Sequence, residues 1–87
     1  MTQKEFYEKY GDVKVKFSSY YKYTFTYVGD LPDGGKISVD CGGNGDDIYR
    51  FEVGADCEET INALELAPYA GTAYDKDGVP IDDFYDY

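Results

Sequence analysis

The chain has 87 residues and lacks histidine and tryptophan altogether; it has one methionine, two cysteines and three prolines. Without histidine there is no Ser-His-Asp triad, no Cys-His pair and no imidazole base. Carboxylate-only catalysis would need a cleft, and a chain this short buries only about 60–65% of its unfolded surface, so its core is small. The expectation is a protein that is not an enzyme and carries no cofactor. Cys41 and Cys57 do not form a CxxC pair. A zinc site built on them would have to take two carboxylates as its remaining ligands, a poor shell for zinc, so no metal is expected and both thiols are read as buried and reduced. No run of 18 apolar residues is present, which excludes a transmembrane helix. The opening segment, MTQKEFYEKY, lacks the apolar core of a signal peptide, so a cytoplasmic protein is expected.

What the chain does have is aromatic area and negative charge. Aromatic residues make up 18% of it, and eleven are tyrosines. That is too rich for a disordered acidic chain, and the length fits one domain spanning residues 1–87. The net charge is −10 and unevenly spread. Residues 1–44 hold six lysines and six acids and sum to zero. Residues 45–87 hold Arg50 and Lys76 against twelve acids and carry the whole excess. A one-signed field of this kind repels nucleic acid and attracts basic protein surfaces. Simple solubility is the plainer explanation for the same charge.

The hydrophobic periodicity predicts an α+β fold, an antiparallel sheet of about five to six strands with one short N-terminal helix. In TQKEFYEKYGD, Thr2 and Glu5 have capping-box spacing, Phe6, Tyr7 and Tyr10 form the apolar stripe, and Gly11 suits a left-handed terminus. The period then becomes two. Val13, Val15 and Phe17 face one side of a first strand, and Ser18-Ser19 is the expected turn. In the next strand Tyr21, Tyr23, Phe25 and Tyr27 form a face read as core, with Tyr20 as the exposed ring. DLPDGGK is a hairpin loop, Ile37, Val39 and Cys41 mark a third strand, and IYRFEV marks a fourth beyond the GGNGDD connector. CEETINALELAPYAG reads either as a short helix or as a strand followed by an irregular turn. A last hairpin runs through Ala73 and Tyr74, turns at Asp77-Gly78 and returns through Val79 and Ile81, with Pro80 marking an edge strand.

Two motifs fail on inspection. DKDG at 75–78 begins like a calcium loop, but Gly78 comes two residues early and a glutamate is missing from the twelfth position. GGNGDD resembles a phosphate loop, yet its two aspartates would repel phosphate. The remaining candidate is IDDFYDY, which closes the sequence given with three carboxylates and three rings. On an extended strand alternate residues lie roughly 6.5–7 Å apart on one face, so carboxylates there can present a row of charge. Asp75, Asp77, Asp82, Asp83 and Asp86, with Asp46 and Asp47, are the candidate partner-binding acids. Tyr85 is the candidate aromatic anchor among them. Phe84, Tyr85 and Tyr87 would be costly to leave in water, which argues for a docking face.

In size and charge pattern the chain resembles the small acidic anti-CRISPR inhibitors carried by phages and prophages, several of which look like duplex DNA to their target. The resemblance implies a protein of the bacterial host cytoplasm that binds the basic DNA channel of a Cas effector and blocks target DNA. The neutral N-terminal half departs from the uniformly acidic mimics, so a mimic face would be confined to the C-terminal half. Two other protein-binding readings share the charge: an acidic adaptor domain, and an antitoxin-like inhibitor of another nuclease. A sugar-binding β-module using exposed tyrosines would call for secretion.

Overall fold

The computed structural model describes residues 1–22, 24–42 and 58–86. One helix, α1 (Gln3–Tyr10), is followed by β1 (Lys14–Tyr21), β2 (Thr24–Asp30), β3 (Lys36–Gly42), β4 (Glu58–Thr60), a 3₁₀ turn (Ile61–Ala63), β5 (Ala70–Tyr74) and β6 (Pro80–Tyr85). Among the described residues the strands form one antiparallel sheet of six, in the order β4-β1-β2-β3-β5-β6. The α+β architecture is therefore the one expected from the periodicity. No described helix is long and apolar enough to cross a membrane. The expected strand at IYRFEV, Cys57 and Tyr23 lie outside the described residues.

The helix begins where its capping box predicts. The Glu5 N–H donates to the Thr2 hydroxyl at 3.1 Å and the Thr2 N–H donates to the Glu5 carboxylate at 3.0 Å. Two of the four orphan donors of the first turn are thus satisfied. Its other end differs from expectation. Gly11 is right-handed (φ −59°), and it is glycine for a different reason. A Cβ there would lie 2.2 Å from the Tyr7 carbonyl and 2.1 Å from the Asn62 side chain. The Gly11 carbonyl accepts the Asn62 N–H at 3.0 Å, which ties the helix end to the 3₁₀ turn.

Among the described residues only one face of the sheet is covered. Its inward rows read across the strands as Val15, Gly29, Ile37, Ala73, Asp82 and as Phe17, Tyr27, Val39, Gly71, Phe84. The helix lays Phe6 and Tyr10 onto these rows, and Phe6 meets Phe84 with ring centroids 4.6 Å apart. Gly71 makes room for them, since a Cβ there would approach both rings to about 3 Å. The carbonyl of Pro68 accepts both the Tyr7 hydroxyl (2.8 Å) and the Gln3 amide (2.9 Å), and so holds the helix start. Burying a ring of this size contributes on the order of 2–3 kcal/mol, most of what an eight-residue helix needs to persist.

Two departures follow from bulges, which add a residue that period-two counting cannot see. The turn expected at Ser18-Ser19 is instead a bulge inside β1, with register shifting between Phe17 and Ser19. It turns both Phe17 and Tyr20 inward, so Tyr20 stacks on Phe25 with centroids 5.3 Å apart. Tyr21 is consequently not core. It stands 73% exposed, opposite Thr24, while Phe25 and Tyr27 are buried as expected. Tyr20 is exposed as expected, although it lies on the core side. A second bulge shifts the register between Ala73 and Tyr74, leaving Ile81 as the extra residue of β6. From Glu58 on, the segment CEETINALELAPYAG takes the second of its two readings, a short strand and then an irregular turn.

The ring contact between α1 and β6 is predicted to carry a large share of stability. Phe6→Ala should cost about 3–5 kcal/mol, read as a lower urea midpoint with an unchanged slope. A loss below about 1 kcal/mol would mean that the helix is not seated by this ring.

Candidate protein interface

Among the described residues strand β6 forms one edge of the sheet, its backbone paired to β5 on one side and meeting the amino group of Met1 on the other. Pro80 opens it, as an edge strand allows. Its residues divide by face. Asp82 and Phe84 point to the helix, while Asp83 and Tyr85 point to the uncovered face, opposite Thr72 and Ala70.

The candidate residues therefore separate into three groups. Asp82 does not belong to an open acidic row. Its carboxylate is 2.6 Å from the Lys9 ammonium and also accepts a short hydrogen bond from the Tyr10 hydroxyl. Lys9 and Tyr10 together hold the Asp82 carboxyl below its ordinary range. The same contact raises Lys9, and burial foremost, then Asp82, raises Tyr10. This aspartate is a clamp between helix and edge strand. Phe84 was expected to contribute to a docking face and is instead core, 4% exposed. It was misread because the face of β6 cannot be assigned until the second bulge is known.

A second group lies at the C-terminal end of β6. Asp83, Tyr85 and Asp86 are all exposed, Tyr85 at 65%. The backbone there is well held: the amino group of Met1 donates to the Asp83 carbonyl at 2.9 Å, and the Asp86 N–H donates to the Tyr69 carbonyl at 2.7 Å. Tyr69 packs edge-on to Tyr85, with centroids 6.4 Å apart. The third group, Asp75 and Asp77, lies at the other end of the strand, in the β5–β6 turn. One oxygen of Asp75 accepts the N–H groups of Asp77 and Val79, each at 2.9 Å, so Asp75 shapes the turn, with Gly78 left-handed (φ +83°). Asp77 is exposed at the tip. Asp46 and Asp47 lie outside the described residues.

The acids of the edge thus form two clusters some 20 Å apart, the length of a six-residue strand. Between them stand Val79 and Ile81, 54% and 47% exposed. Sequence reasoning treated these two as an ordinary return strand. The bulge that turns Ile81 outward leaves no signal in the sequence.

Charge is also separated across the sheet. On the uncovered face, one row runs Glu58, Lys16, Val28, Ser38, Thr72, Asp83. Lys14, Lys16 and Lys36, with Asp30 and Glu58, line an open groove of about 530 Å³ toward the β4 edge. Lys36 is ion-paired to Asp30. Among the described residues the two ion pairs take only Asp30 and Asp82. The lysines of β1 lie four strand spacings away from the acids of β6, about 19 Å at ordinary strand spacing.

No known protein family, no curated protein and no solved structure matches the chain.

The clamp has a predictable pH dependence. A carboxyl whose pKa is lowered by folding adds stability that is present above its unfolded value and lost as pH falls through the folded one. Acid titration of stability should therefore show a loss below about pH 4 that is reduced in Asp82→Asn. The same acid sensitivity in both proteins would remove Asp82 from the account.

Proposed function

We propose that the chain is an inhibitory binding protein whose acidic β6 edge docks on a basic nucleic-acid-binding surface, that of a CRISPR Cas effector, and competes there with target DNA. The observation that carries this reading is the separation of charge over the sheet. Asp77, Asp83 and Asp86 are exposed along the β6 edge, with the exposed ring of Tyr85 among them. Lys76 in the β5–β6 turn is the one exposed lysine beside them, and the lysines of β1 stand near the opposite edge.

Such an arrangement suits competition by charge. A channel that holds phosphates does so with lysine and arginine, and its counterions leave when any polyanion enters. Held carboxylates on an ordered strand exact less entropy on binding than a flexible acidic tail. The tyrosine adds area at small entropic cost, as interface anchors do. Acids at the rim set the association rate, and desolvated ones beside Tyr85 set the residence time. The resemblance in size and charge to anti-CRISPR inhibitors supplies the target class.

The test must spare Asp82, because that residue holds the helix. Guide-loaded Cas effectors are captured with the wild-type protein and with the triple variant Asp77→Lys, Asp83→Lys, Asp86→Lys. Reversing three exposed charges should weaken capture by at least about tenfold while circular dichroism stays unchanged. Equal capture by a folded triple variant would refute docking through this edge.

A further inference from the structure

Between the end of α1, the β2–β3 hairpin and β6 lies an open groove of about 440 Å³. Its surface is mostly apolar, formed by Tyr10, Val13, Leu31, Pro32 and Ile81, with Lys9 and Asp33 at its rim. Leu31 is buried and makes the floor, whereas Ile81 and neighbouring Val79 stand about half exposed. With Val28 on the other face, these two β-branched residues are the exposed aliphatic side chains of more than 40% exposure among the described residues apart from Met1, and they stand together beside the groove.

The groove's surroundings are acidic. Its one lining lysine, Lys9, is taken by Asp82. Asp33 is at the rim, and Asp12 adjoins Val13 in the chain. The β2–β3 and β5–β6 loops lie side by side, with a Cβ on Gly34 only 3.8 Å from that of Lys76, which brings Asp75 and Asp77 to the same end of the sheet. With the Asp30–Lys36 pair neutral, the four acids Asp12, Asp33, Asp75 and Asp77 against Lys14 and Lys76 leave this end negative. The loops are also preformed: Asp33 accepts the Gly35 N–H at 3.0 Å, and Asp75 accepts two N–H groups of its own turn. An apolar centre inside a charged, ordered rim is the anatomy of an interface hot spot.

We propose that this groove seats one large apolar side chain of the partner, carried on a segment with lysine or arginine on both sides of it. The inference rests on the protein-binding reading above and adds to it a specific anchor. The ring or aliphatic chain covers Val13, Leu31 and Ile81, and the flanking cations meet Asp33 and Asp77. The contact separates a cognate target from any other basic surface, because charge alone is satisfied by many.

The probe is a blocked tripeptide, Lys-Phe-Lys, titrated into the full chain and followed by amide chemical shifts. Lys-Gly-Lys and Glu-Phe-Glu serve as controls. Shifts should appear at Val13, Leu31 and Ile81 with Lys-Phe-Lys, and should need at least about tenfold more of either control peptide. Ile81→Asp, an exposed substitution that the fold should tolerate, should erase them. No shift at these residues, or an equal response to either control, overturns the anchor. Shifts at the same amides on concentrating the protein alone would assign the groove to a second copy and also overturn it. The two proposals fail separately. Peptide binding without capture of any effector leaves the groove and removes the inhibitor reading. Capture that Ile81→Asp leaves unchanged, with no peptide response, does the reverse.

Discussion

Gly71 has no side chain, and the rings of Phe6 and Phe84 occupy the space one would need. That single close contact joins the first element of the chain to the last. It seats a two-turn helix that could not persist alone. It also decides which way β6 faces. Once Phe84 is turned inward, alternation turns Asp83 and Tyr85 outward, and Asp82 inward toward Lys9 and Tyr10. The acidic edge is therefore a consequence of the core.

The same constraint explains how two adjacent aspartates come to have opposite roles. Asp82 is clamped by an ammonium and a phenol, which lowers its pKa and ties the helix to the edge strand. Asp83 meets solvent on the other face. A surface pair alone would contribute little, but this one is joined by a phenolic hydrogen bond and flanks the ring contact of Phe84. Charge on the sheet's uncovered side is left for solvent or a partner, with lysines toward one edge and carboxylates along the other.

Much of this was legible in the sequence, and the failures share a cause. Capping-box spacing located the helix, alternation located β1, β2 and β3, and the Asp77-Gly78 pair located the final turn. What alternation could not reveal was an extra residue. The bulge after Phe17 moved the first turn from Ser18-Ser19 to Lys22 and put Tyr21 outside. The bulge at Ile81 set the faces of the last strand and exposed an isoleucine beside the groove. Gly11 illustrates a second limit. Its place at a helix end suggested a left-handed residue, whereas the requirement came from the close approach of the Tyr7 carbonyl and of Asn62, a residue distant in the chain. Contacts of that kind are settled by packing and carry no local signature.

The central claim is that the β6 edge stands in for nucleic acid on a basic surface, and its most direct test is the salt dependence of binding to guide-loaded Cas effectors in the presence of target DNA. The account predicts affinity that falls linearly in log–log form as salt rises, with target DNA displacing the protein. Affinity that is flat in salt and indifferent to DNA would contradict it and leave the acidic edge as a solvated surface.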